Sequence, residues 1–227
     1  MFVSKFNVLC LAALAMGGAA QSALAYEAGD WLVRGRIITV SPNDDSGNLY
    51  ANGGTLNLGE GVKVNADTVP ELDITYMMTP HWGVELILGY SKHDIDSRGA
   101  AAGLGLGKVI ETKVLPPTLT LQYHFLPNSS VRPYIGAGLN YTYFFDEEVV
   151  GVLDQPDAKV KLDSSWGLAA QAGVDIDVGD DWFINFDVKY LDIDTEARFS
   201  GINLVGSANI NTDIDPFVYG IGIGRKF

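Results

Sequence analysis

Hydrophobic and polar positions alternate with a period of two along most of this chain, the spacing of β-strands rather than helices. Counting back by twos from Phe227 puts Arg225, Ile223, Ile221, Tyr219 and Phe217 on one face. Gly224, Gly222, Gly220 and Val218 fall on the other. The same pattern predicts eight strands: Trp31–Pro42, Thr68–Met78, Trp82–His93, Glu111–Phe125, Arg132–Phe145, Ser164–Val178, Trp182–Thr195 and Asp213–Phe227. Each is near or above the ~9–11 residues that a tilted membrane-spanning strand requires.

The connections alternate in length. Those at 79–81, 126–131 and 179–181 are short, whereas those at 43–67, 94–110, 146–163 and 196–212 are long. Short periplasmic turns and long extracellular loops mark an outer-membrane barrel, with both termini on the periplasmic side. One face of each strand is bulky and apolar, as in Trp82, Val84, Leu86, Leu88 and Tyr90 of the third. Trp31, Tyr76, Trp82, Phe125, Trp182 and Phe227 gather near one rim, and Tyr90, Tyr143, Phe145, Trp166 and Phe217 near the other. These are the two aromatic girdles of a lipid-facing surface. The expected fold is therefore all-β, an eight-stranded antiparallel transmembrane β-barrel. A soluble sandwich would instead keep one face of each strand polar.

The first residues supply the matching export signal. Lys5 precedes an apolar run from Val8 to Ala15, and Ala23-Leu24-Ala25 fits a cleavage site. Residues 1–25 read as a signal peptide and 26–227 as one outer-membrane barrel domain. The only cysteine, Cys10, lies in the leader, so the processed chain has no thiol for a disulfide, metal or nucleophile. Removing Lys5 leaves 14 basic against 28 acidic residues, a net charge of −14. That balance argues against nucleic acid as a partner. The aromatic C-terminal strand resembles the signal of bacterial outer-membrane barrels, which implies handling by the barrel assembly machinery. The expected location is the outer membrane of a Gram-negative envelope, among its lipid and lipopolysaccharide.

Four segments carry a family resemblance: Leu115-Pro-Pro-Thr-Leu-Thr-Leu-Gln-Tyr123, Arg132-Pro-Tyr-Ile-Gly-Ala-Gly-Leu-Asn-Tyr-Thr-Tyr-Phe-Phe145, Tyr190-Leu-Asp-Ile-Asp-Thr195 and Asp215-Pro-Phe217. In order and spacing they resemble the OmpW family, whose relatives include the alkane-uptake protein AlkL. The resemblance spans the processed chain and implies a barrel that admits small hydrophobic molecules. The long first loop diverges, so no preference lodged there carries over.

The inward faces suggest a route. An eight-stranded barrel is just wide enough to be filled by side chains. Inward positions in the periplasmic half are charged: Arg34, Arg36, Asp73, Glu85, Asp175, Asp177, Asp187 and Lys226. Buried charges must pair, so they read as a polar plug. Nearer the outer rim, Ile38, Val40, Val114, Phe144, Leu191 and Val218 are apolar and read as a vestibule. Pro116 and Pro117 interrupt the fourth strand, where proline donates no ladder hydrogen bond. They mark either a bulge or a lateral door. In the loops, the glycine-rich stretch 99–107 and the apolar residues Leu49, Tyr50, Leu56 and Leu58 are candidates to cover the mouth.

Catalytic and metal chemistry find little support. His81 and His124 belong to the periplasmic end. His93 lies near Ser91 and Asp94, but a triad needs convergence from separate segments rather than adjacency. The acidic stretch at 43–48 misses the EF-hand spacing, and Asp192 and Asp194 make only a pair. Asn128-Ser-Ser and Asn140-Tyr-Thr match the glycosylation pattern by chance. The expected function is non-enzymatic, cofactor-free passive uptake of small hydrophobic solutes, with lateral release into the membrane. The alternatives are a closed structural or interaction barrel serving envelope integrity, phage or host contact, and conduction of polar solutes.

Overall fold

The computed structural model describes residues 25–51, 56–103, 105–202 and 206–227. The expected leader, Ala25 apart, and the side chains of Leu49, Leu56 and Leu58 lie outside the described residues. In chain order the strands are β1 (Trp31–Ser41), β2 (Asp45–Ser46), β3 (Asn48–Ala51), β4 (Leu56–Glu60), β5 (Val62–Val64) and β6 (Asp67–Met77). Next come β7 (Trp82–Gly89), β8 (Ser91–Ser97), β9 (Lys108–Leu115), β10 (Thr118–His124) and β11 (Val131–Val149). The last six are β12 (Lys159–Leu162), β13 (Ser165–Gly179), β14 (Trp182–Leu191), β15 (Asp194–Ile202), β16 (Gly206–Asp213) and β17 (Phe217–Lys226).

β1, β6, β7, β10, β11, β13, β14 and β17 close into an eight-stranded antiparallel barrel. β1 pairs with β17 from Leu32↔Lys226 to Ser41↔Phe217, which seals first strand to last. The periplasmic turns are tight. Between β13 and β14, Asp180 and Asp181 have φ of 52° and 66°. A two-residue hairpin that matches strand twist needs positive φ at both positions, and aspartate tolerates it. Outward residues such as Leu119, Leu139, Leu168, Ile221 and Ile223 stay exposed on the free molecule. A continuous apolar belt of this kind needs lipid around it. The belt lies between rings such as Trp31 packed on Tyr76, and Tyr190 packed on Phe217.

The expected long loops are largely strands. β8 and β9 extend the third and fourth staves as a hairpin, joined through a helical turn at Gly99–Gly103. β15 and β16 form a second hairpin, flanked by β12 on one side and by β2 and β3 on the other. This crown buries Val62, Val64, Ile95, Ile110, Leu162, Phe199 and Ile210. They join Ile38, Val114, Phe144, Leu191 and Val218 of the barrel in one apolar cluster. Extracellular strands of this length form because their inward residues have that cluster to bury against.

Candidate functional site

The lower lumen is a network of buried charges. Arg34 on β1 reaches Asp175 on β13 (Nη2–Oδ2 2.7 Å) and Glu85 on β7 (3.1 Å), and donates to Thr75. Arg36 lies against Asp73 (3.1 Å), Glu71 (3.2 Å) and Asp187 (3.4 Å). Six of the eight charged residues expected in the plug, Arg34, Arg36, Asp73, Glu85, Asp175 and Asp187, are thus linked in one network. Asp177 sits at its edge, paired with Arg132, and Lys226 lies near Asp30.

The plug extends further than its sequence outline. Lys189 bridges Glu71 (2.6 Å) and Asp187 (2.8 Å), one register step closer to the outside. Gln122 and Gln171 donate to Glu85, Asn185 donates to Asp175, and Tyr134 donates to Asp187. These uncharged partners complete the shells of Glu85, Asp175 and Asp187, as a buried ion pair requires, whereas Asp73 has only its ion pair with Arg36. The inward parity of Glu71 and Lys189 was readable, since each lies two residues from Asp73 or Asp187. Their height above the periplasmic turns had placed them outside the expected plug.

Above Lys189 the lumen changes character. An apolar cavity lies between plug and crown. Ile38, Val40, Val114, Phe144, Leu191 and Val218 all line it, so the six expected vestibule positions converge. Crown residues Val62, Ile95, Ile110, Leu162 and Ile210 complete its upper wall. Lys189 and Glu71 form part of its floor.

Its few polar linings are internally satisfied. His93 Nδ1 lies 2.8 Å from the Asn65 carbonyl, which only accepts, so Nδ1 carries the proton. Ser91 then donates to His93 Nε2 across 2.8 Å. Ser91 and His93 do share a face, yet a backbone carbonyl occupies the place a triad carboxylate would take. Thr142 donates to Asn140, and Thr118 donates to the Pro116 carbonyl.

Beside this cavity the fourth stave breaks. β10 pairs with β7 from Tyr123↔Trp82 up to Thr118↔Ile87. Pairing resumes between β9 and β8 at Val114↔Ser91. Leu88 to Tyr90 and Leu115 to Pro117 face each other between those points without ladder pairs. The far side of the stave stays closed, because Tyr141 donates its backbone N–H to the Pro117 carbonyl (3.0 Å). Pro116, Gly89 and Tyr90 line the cavity, whereas Pro117 does not. The prolines therefore interrupt one seam only, the one bordering the vestibule.

The loop features divide. Leu106, in the glycine-rich segment, packs against the apolar cluster, but no described residue of 99–107 lines the cavity. Tyr50 is exposed. Asp215 joins Asp192 and Asp194, with one carboxylate oxygen of each within 4.8 Å of the others. Partial burial and the neighbouring acids Asp213, Asp192 and Asp215 push the Asp194 carboxyl up. His124 is buried between Tyr26 and Tyr134 at the bottom of the plug.

The OmpW family model matches residues 27–227. The chain belongs to the OmpW family. Outer membrane protein W of Vibrio cholerae is 40% identical over 206 residues, covering 89% of this chain and 91% of that protein. The crystal structure of OprG from Pseudomonas aeruginosa matches with a TM-score of 0.82 at 39% identity, covering 89% of this chain and 98% of OprG. The solid-state NMR structure of AlkL in lipid bilayers matches with a TM-score of 0.64 at 28% identity, covering 93% and 96% of the two chains. This OmpW-family chain is thus a non-enzymatic outer-membrane barrel surrounded by outer-membrane lipid.

Proposed function

We propose that this barrel takes small hydrophobic molecules from outside into the vestibule and releases them sideways into the membrane. The observation that carries this reading is the meeting of an apolar cavity with an unpaired seam at Gly89–Tyr90 and Pro116. A hydrophobic solute gains by entering such a cavity. Continuing downward would strip the plug's ion pairs of their partners, which is far more costly than passing between two backbones that share no hydrogen bonds. The resemblance to a family that includes AlkL supports the same cargo class. In this reading residues 1–25 are cleaved, the barrel assembly machinery inserts the chain, and lipopolysaccharide surrounds its outer rim.

The test is a reversible lock. Gly89→Cys with Pro116→Cys places one thiol on each edge of the seam, in a processed chain that otherwise has none. Uptake of a medium-chain alkane should fall to the level of cells lacking the protein when the pair is oxidised, and recover on reduction. Unchanged uptake through the locked barrel would end the lateral-release reading. The filled plug also favours a closed structural barrel as the competing reading. Equal alkane uptake with and without the protein would decide for it.

A further inference from the structure

We infer that Tyr26 is a stopper: the start of the processed chain folds back into the periplasmic mouth and holds the plug closed from below. Tyr26 precedes β1 and belongs to no strand, yet it is only 1% exposed. Its phenol donates to Asp175 Oδ2 (2.8 Å), the carboxylate that also receives Arg34. Its ring stands edge-on to His124 (5.3 Å between centroids) and to Phe183 (6.3 Å). The Arg132 guanidinium lies 4.3 Å from the ring centroid. Its backbone N–H donates to the Pro127 carbonyl (3.1 Å). These partners sit on the fourth to seventh staves and the turn at Pro127.

The short segment before β1 is shaped to deliver that ring. Gly29 adopts φ of 101°, a left-handed conformation that glycine takes at little cost. Its N–H donates to the Met77 carbonyl (2.7 Å), while Met77 N–H donates to the Asp30 carbonyl (2.9 Å). Asp30 Oδ2 in turn accepts from the Glu27 N–H (2.8 Å). The turn thus pins the segment to the β6 end and directs Tyr26 inward. A phenol suits the seat because one hydroxyl meets the carboxylate while the ring fills the apolar space by Phe183, Leu32 and Met77. The inference concerns the periplasmic end and stands apart from the cargo of the vestibule.

Conductance in planar bilayers reads the stopper directly. Tyr26→Ala should raise single-channel conductance at least three-fold, and Tyr26→Phe, which keeps the ring, should stay within two-fold of the native chain. Heat-modifiable migration on gels confirms that each variant has formed its barrel. Equal conductance for Tyr26→Ala and the native chain would overturn the role. Hydrogen exchange on the native protein gives a second reading that needs no variant. The Gly29 amide should exchange at least 100-fold more slowly than in a free peptide, and exchange at the free-peptide rate would equally overturn it.

Discussion

Arg34 and Asp175 meet across the lumen in a two-point contact, Nη2 to Oδ2 at 2.7 Å and Nε to Oδ1 at 3.3 Å, with both side chains fully buried. They come from β1 and β13 and are 141 residues apart in sequence. The pair ties opposite walls of the barrel together. Removing Asp175 takes the two-point partner from a buried guanidinium and leaves it Glu85 as its carboxylate, in a site water does not reach. Asp175→Asn should therefore destabilise the barrel by about 3–5 kcal/mol. Replacing both, as Arg34→Met with Asp175→Leu, should be less harmful than the single change. Urea unfolding in lipid vesicles, followed by tryptophan fluorescence, measures both.

Two glycines predict opposite outcomes for the same substitution. A Cβ at Gly138 would lie 1.9 Å from the Leu119 carbonyl oxygen, so Gly138→Ala must push β11 away from β10. Overpacking of this kind costs about 1–3 kcal/mol. A Cβ at Gly35 meets nothing within 4 Å and points outward. Gly35→Ala should be neutral or gain roughly 0.5 kcal/mol from the lower entropy of the unfolded chain. The same unfolding assay ranks them.

The staves, girdles and vestibule were legible because lipid on one side and a narrow lumen on the other enforce a strict period of two. Ile38, Phe144 and Leu191 announce their face through their neighbours. The crown was less legible. Thr195, Ala197 and Phe199 alternate with Glu196, Arg198 and Ser200 as clearly as any stave. Their outward residues are polar because they face water, so the lipid signature is missing. Gly201 and the asparagines that follow then read as loop. Tyr26 carried no periodic signal at all, since a single residue before the first strand belongs to no face. Only the folded lumen shows what it fills.

The vestibule wall should respond to polarity rather than to volume. Leu191 is buried against the cavity, and Leu191→Asn keeps nearly the same size. An amide there holds water, and stripping that water costs about 1–3 kcal/mol. Occupancy by a hydrocarbon should fall roughly ten-fold or more. Alkane uptake should drop accordingly, while the folded barrel persists on gels. An undiminished rate would remove Leu191 from the route.

The extracellular hairpin of β8 and β9 carries its own pH dependence. Glu111 lies beyond the outer aromatic girdle, where Lys108 donates to it at 2.5 Å and Lys92 bonds its other oxygen. Those hydrogen bonds hold its carboxyl at about 2. An unperturbed glutamate titrates near ~4.3. The folded value is the lower one, so the stabilising contribution is complete above the unfolded value and is lost as pH falls toward the folded one. The group is solvent-exposed and screened, so the effect should appear as local opening rather than loss of the barrel. Hydrogen exchange of the hairpin amides, corrected for intrinsic rates, should show protection falling between pH 4 and 2 by an amount that Glu111→Gln abolishes. High salt should flatten the same transition in the native chain, because a screened pair has less to lose when its carboxylate takes up a proton.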